Sequence, residues 1–183
     1  MTPSQRIVQA CLFIALACAG AGALARDVRV ALGSHGAVVF SVPDDWRDSL
    51  EQESANGPPT LNLTPKQGKA FQILITPAWP NVPNTPMPTK GALRELVQRA
   101  ADDAEPRAVE HDLQLIDFSG PAGYGAYFSA TDRDPEPDGY KHLTQGILVA
   151  TDLRVSFTIL VNGNPIATLQ QALTTLRTMR RAP

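Results

Sequence analysis

Four carboxylates fall within the short run Asp132–Gly139, DRDPEPDG. Counted from Asp134, Asp134, Glu136 and Asp138 stand at loop positions 1, 3 and 5, with Gly139 at position 6. A calcium loop begins this way, because alternate carboxylates and a sharp turn wrap oxygen ligands around a hard cation. Position 12, where such a loop needs a bidentate Glu, is Gln145, and the residues after Gly139 read as a strand. Weak binding of a divalent cation by Asp134, Glu136 and Asp138 is therefore the metal reading. The plainer reading is a solvated hairpin loop whose charges and prolines keep the end of a sheet in water.

The other groups able to do chemistry are scattered. His35 sits in a turn, His111 follows a helix and His142 lies on a strand. The sequence has no H-E-x-x-H, G-x-S-x-G or Walker pattern. Ser129, His142 and Asp132 supply the residue types of a hydrolytic triad, yet triads are recognised by geometry, and no spacing here favours one. Gly120, Gly123 and Gly125 resemble a phosphate loop only in composition. They stand between two strands, with no helix N-terminus to bind an anion.

Prolines mark one further stretch. Pro77, Pro80, Pro83 and Pro86 recur at every third residue, followed by Pro88. That period matches the polyproline II helix, which turns once in three residues. As a recognition strip it would present Trp79, Val82 and Met87 to a partner. As a stiff connector it would carry the chain from strand to helix, with Trp79 packed inward.

The leader narrows the chemistry. Met1–Ala25 carries one basic residue, Arg6, then an apolar run from Ile7 to Ala19, and ends Ala23-Leu24-Ala25. This is the pattern of a secretory signal peptide cut after Ala25, giving a domain at 26–183 that is periplasmic or secreted. Retention as an anchor and lipidation at Cys18 are the alternatives, but the run is weakly apolar and Leu16 stands one place too close to Cys18. Both cysteines, Cys11 and Cys18, lie in the leader, so the mature domain has none and relies on its core alone. Of 183 residues 158 remain, with 15 basic against 18 acidic side chains once Arg6 is gone, a formal charge of −3. That balance disfavours nucleic acid, and it leaves no membrane span after cleavage. Arg177, Arg180 and Arg181 read as a solvated helix end.

The elements follow from periodicity. Val28–Leu32 and Ala37–Val42 form a hairpin across Gly33–Gly36. Arg47–Pro59 reads as loop, with one helical turn at Asp48–Glu53. Thr60–Thr64 and Ala70–Thr76 are strands, and Leu74 on the polar side of the second suggests that this face is covered too. Thr89 caps a helix with Leu93, Leu96, Val97, Ala100 and Ala104 on one face, stopped by Pro106. Leu113–Phe118 and Tyr124–Thr131 are strands, and Tyr140–Ala150 with Leu153–Asn162 is a hairpin turned at Thr151-Asp152. Asn164-Pro165 opens a last helix, lined by Ile166, Leu169, Leu173, Leu176 and Met179. The sum is α+β: a largely antiparallel sheet with two main helices.

The chain is organised around Ala37–Trp46, AVVFSVPDDW. Val38, Phe40 and Val42 share one side of a strand, Pro43 ends it, and Trp46 closes the core as a lid, with the later elements covering the strand. Phe40-Ser41-Val42-Pro43 with Trp46, the Gly120–Ala130 strand entry and the Leu169–Met179 helix after a long hairpin resemble the PsbP/Mog family of α/β/α sandwiches. Its exported bacterial members include the DcrB-like proteins. The resemblance spans Val28–Met179 and implies a binding or assembly module. It carries no metal-site or partner-site residue onto this chain. Two functions follow as expectations. The first is an exported, non-enzymatic module that binds a protein or small ligand. The alternative is a small periplasmic hydrolase or metal-dependent enzyme, which requires the histidines to converge on carboxylates.

Overall fold

The structure, a computed structural model, describes residues 24–52, 54, 57–80, 82 and 85–182. The leader expected at residues 1–25 lies outside the described residues except for Leu24 and Ala25, as do Glu53, Asn56 and Pro83. In chain order the elements are β1 (Ala25–Ala31), β2 (Ala37–Pro43), β3 (Trp46–Glu51), β4 (Thr60–Pro65), β5 (Phe71–Ala78), α1 (Lys90–Ala104), β6 (Ile116–Gly120), β7 (Gly123–Thr131), β8 (His142–Ala150), β9 (Leu153–Val161), α2 (Pro165–Arg177) and β10 (Arg180–Ala182). Seven strands form one sheet in the order β3-β4-β5-β9-β8-β7-β6, and three form a second, β1-β2-β10. Neighbouring strands run antiparallel throughout. The fold is thus α+β, with a large antiparallel sheet and two helices, as the periodicity predicts.

Alternation decides which face meets which layer. Along β9, Leu153, Val155, Phe157, Ile159 and Val161 are buried on one face, where the small sheet and α2 cover them. Along β7, Ala126, Phe128 and Ala130 point the other way, into a second cluster with Leu93, Val97 and Ala101 of α1. The two caps form as expected: the Thr89 side chain accepts from the Ala92 N–H, and the Asn164 side chain from the Ala167 N–H. Gly146 in β8 marks a tight crossing, where an added Cβ would stand 2.5 Å from both the Ala126 carbonyl oxygen and the Phe157 ring. Among the described residues, no helix is long and apolar enough to cross a membrane.

Several readings need correction. Arg47–Pro59 is not a plain loop: β3 pairs with β4 from Trp46↔Pro65 to Glu51↔Thr60. It is an edge strand exposed beyond Trp46, so backbone ladder bonds hold it without an alternating pattern to betray it. Trp46 is buried to 1% exposure, but as the first residue of β3 rather than a lid beyond a strand, and it packs on Phe71 at 4.8 Å between ring centroids. β2 is the centre of the small sheet, and α2 packs on it while α1 lies across the large sheet over β7 and β8. Leu74 is half-buried on the face that α1 covers only at its far end.

β5 runs on to Ala78 and buries Pro77, opposite Val155. β4 starts only at Thr60, whose hydroxyl meets Thr76, so the missing N–H of Pro77 falls where no strand lies alongside on that side. The strand expected from Leu113 begins at Ile116. Ile166 is 73% exposed and not part of the buried face of α2, which runs through Ala172, Leu173, Thr175 and Leu176. Arg180 and Arg181 belong to β10, not to a helix end. Arg180 pairs with Asp27 and Arg181 with Asp152, while Arg177 lies over the Phe118 ring.

Candidate functional site

Trp79 follows directly on β5 and sits half-buried against the main core. Its indole stacks on His35, from the turn between β1 and β2, with ring centroids 4.2 Å apart and planes 21° from parallel. The indole lines a cavity of about 290 Å³ with Ala78, Pro80, Met87, Pro88 and Arg154. A second cavity of about 240 Å³, on the His35 side, is lined by Trp79, Ser34, His35, Gln52 and Pro59. The strip therefore reaches the surface with an aromatic wall between two depressions.

The far end of the strip is fixed from below. Met87 packs against the cluster under α1, and the Tyr124 hydroxyl donates to the Pro88 carbonyl. Lys90 lies 5.8 Å over the Tyr124 ring. Val82 between them is 66% exposed. Of the three residues expected to bind a partner, Trp79 and Met87 thus share one cavity, and Val82 stands outside it in solvent.

Arg154 completes that cavity, and the strip gave no hint of it. It is the second residue of β9, and the ladder places it opposite Ala78. Arg154 is exposed, and its guanidinium makes no hydrogen bond or ion pair among the described residues. Its pairing with a residue so distant in sequence depends on strand order, which local periodicity does not encode. An apolar cavity with one uncommitted guanidinium suits an apolar group bearing a carboxylate.

The remaining candidates separate. Asp134, Glu136 and Asp138 lie exposed in the loop before β8. The loop is tied down by its backbone: Lys69 donates to the Asp138 carbonyl and Asn162 to that of Gly139. No three His, Cys, Asp or Glu gather as metal ligands among the described residues. The drawn triad is not joined by hydrogen bonds. Ser129 bonds Thr144 at 2.7 Å, Asp132 accepts from the Asp134 N–H, and His142 faces Thr131. His111 is exposed after α1.

One histidine does approach a carboxylate. Glu110 accepts from both the N–H and the hydroxyl of Thr131, each at 2.8 Å, and the Thr131 hydroxyl lies 3.4 Å from His142 Nδ1. Burial opposes ionisation of Glu110, but the hydrogen bonds from the Thr131 N–H, the Thr131 hydroxyl and its own N–H outweigh it. Its pKa lies below the ordinary value.

No protein-family model matches the chain, and no curated protein matches it in sequence. Shape is more informative. The solution structure of cyanobacterial PsbP (CyanoP) from Synechocystis sp. PCC 6803 superposes with a TM-score of 0.53 over 90% of this chain and 97% of that one. The fold is PsbP-like. At 11% identity the likeness is one of architecture, and no residue role passes through it. A crystal structure from Bacteroides thetaiotaomicron matches at 10% identity and a TM-score of 0.45, covering 80% of this chain. The chain spans 45% of that protein's length, and the score is too low to carry an argument. The likeness reaches the PsbP-like fold and stops short of the DcrB-like subgroup. A PsbP-like fold is compatible with a non-enzymatic module.

Proposed function

We propose that the protein is an exported, non-enzymatic module that binds a partner protein at the Trp79 cavity. The observation that carries this reading is the convergence of Trp79, Met87 and the uncommitted Arg154 on one cavity. The partner contributes an apolar side chain to the Trp79 wall and a neighbouring carboxylate to Arg154. Prolines hold the rim in shape before contact, so little ordering entropy opposes association. Export is supported by the leader pattern. β1 begins at Ala25, and the Arg26 side chain clamps the Pro43 and Trp46 carbonyls together with Asp48. A chain cut after Ala25 keeps that clamp.

The test uses variants that leave the core alone. A photo-crosslinking residue in place of Val82 identifies the neighbour in the exported protein, and binding of that purified neighbour is then measured. Arg154→Glu and Val82→Asp should weaken binding at least tenfold at unchanged melting temperature, since neither side chain is buried. Wild-type affinity in both variants would overturn the reading.

A further inference from the structure

At the other end of β9, about 23 Å from Arg154 along the strand, lies a third depression. It has a volume of about 270 Å³, with Glu110, Thr131 and His142 on its polar side and Val161, Ile166 and Leu169 on its apolar side. We propose that this cavity is a binding site for a small organic ammonium ion, the apolar body resting on Ile166 and Leu169 and the ammonium directed to Glu110 and His142.

The hydrogen-bond directions carry the argument. An ionised carboxylate only accepts, so the Thr131 hydroxyl gives its proton to Glu110. The same hydroxyl oxygen then accepts from His142, which places the proton of the neutral ring on Nδ1 and leaves Nε2 as an acceptor. Thr131 occupies two of the roughly four lone-pair sites of the carboxylate and the Glu110 N–H a third, so one remains for a donor. Ser129 and Thr144, at the same floor, satisfy one another at 2.7 Å.

The helix end facing the cavity does not reverse this polarity. Pro165 has no N–H, and Asn164 already takes those of Ala167 and Thr168 through its side chain and carbonyl. Only Ile166 at that end brings an uncommitted donor. α2 carries no charged side chain before Arg177, and the charged or titratable groups lining the cavity are Glu110 and His142. The cavity thus offers acceptors and one fixed negative charge beside an exposed apolar wall. Ile166, 73% exposed, forms the rim of the cavity with the half-buried Leu169 and the buried Val161 below it.

Amide chemical shifts of the purified protein, titrated with hexylammonium chloride, test the proposal. Saturable shifts should centre on Thr131, His142, Ile166 and Leu169, with hexan-1-ol about tenfold weaker and hexanoate weaker still, the scale of one charge-assisted hydrogen bond. Glu110→Gln should remove the preference for the amine over the alcohol. Equal binding of alcohol and amine by the wild type would overturn the proposal without recourse to any variant. So would shifts confined to other surfaces, or an unchanged preference in a folded Glu110→Gln protein. Loss of the Trp79 interface would leave this result untouched.

Discussion

The Trp79 indole lies flat on the His35 imidazole, 4.2 Å between ring centroids, and so joins the turn of the small sheet to the exit of β5. The two residues flank strands of different sheets, and the stack is a side-chain bridge between them. Such a pair is worth about 0.5–1.5 kcal/mol beyond the area it buries. His35→Ala should lower stability by that amount. It should also red-shift the Trp79 emission, resolved from that of Trp46, the only other tryptophan. Unchanged emission would mean that the rings do not stack in solution.

Trp46 should be the more costly of the two tryptophans. It is buried to 1% exposure on Phe71, in the cluster shared by both sheets and α2. Trp46→Ala should cost about 3–5 kcal/mol, the range for a large buried aromatic. Half-buried Trp79 should cost less when truncated. Denaturant midpoints for the two variants give the ranking directly, and an inverted order would place the core elsewhere.

Much of the fold was legible because burial alternates. The β9 run Leu153–Val161 and the β5 run Phe71–Ile75 each have one dry face, and a period of two reports it. β3 was hidden because, past Trp46, it has no dry face at all. Arg180 and Arg181 looked like a helix end because charge near a helix suits its dipole, whereas β10 is made by backbone pairing with β2. The candidate site was half legible. The prolines drew attention to Trp79 and Met87, but Arg154 reaches them only through strand order. Glu110 and His142 meet only because β7 and β8 pair in register at Thr131↔His142.

Gly146 tests the crossing of β7, β8 and β9. An added methyl would lie 2.5 Å from the Ala126 carbonyl oxygen, 2.5 Å from the Phe157 ring and 2.6 Å from Tyr127 Cβ. Two of these neighbours are fixed in the backbone or next to it, so the strand itself must shift. Gly146→Ala should destabilise by about 1–3 kcal/mol, although alanine is otherwise harmless in a strand. Gly68, in an open turn, has nothing within 4 Å of such a methyl. Its positive φ of 73° makes Gly68→Ala a measure of backbone strain alone. A Gly146→Ala protein as stable as the wild type would show that β8 can move at no cost.

Acid should act on the fold through Glu110. Its folded-state pKa lies below the ordinary 4.5, held there by the N–H and hydroxyl of Thr131 against the effect of burial. The unfolded chain therefore takes up a proton on this carboxyl at a higher pH than the folded chain does. The resulting stabilisation is complete above about pH 4.5 and is lost as pH falls through the lower folded-state value. Asp27, hydrogen-bonded to Arg180 and Ser41, is shifted in the same direction from its ordinary 3.8, so its share is lost only below about pH 3.8. Glu110→Gln removes one such group while keeping an oxygen that can accept from Thr131. The variant should be less stable than the wild type at neutral pH, and the two should converge as pH falls below 4. Urea titrations across that range check this, with Asp27→Asn as the parallel case. A gap between wild type and Glu110→Gln that stays constant down to the lowest pH would mean that the carboxylate's charge contributes nothing to the fold.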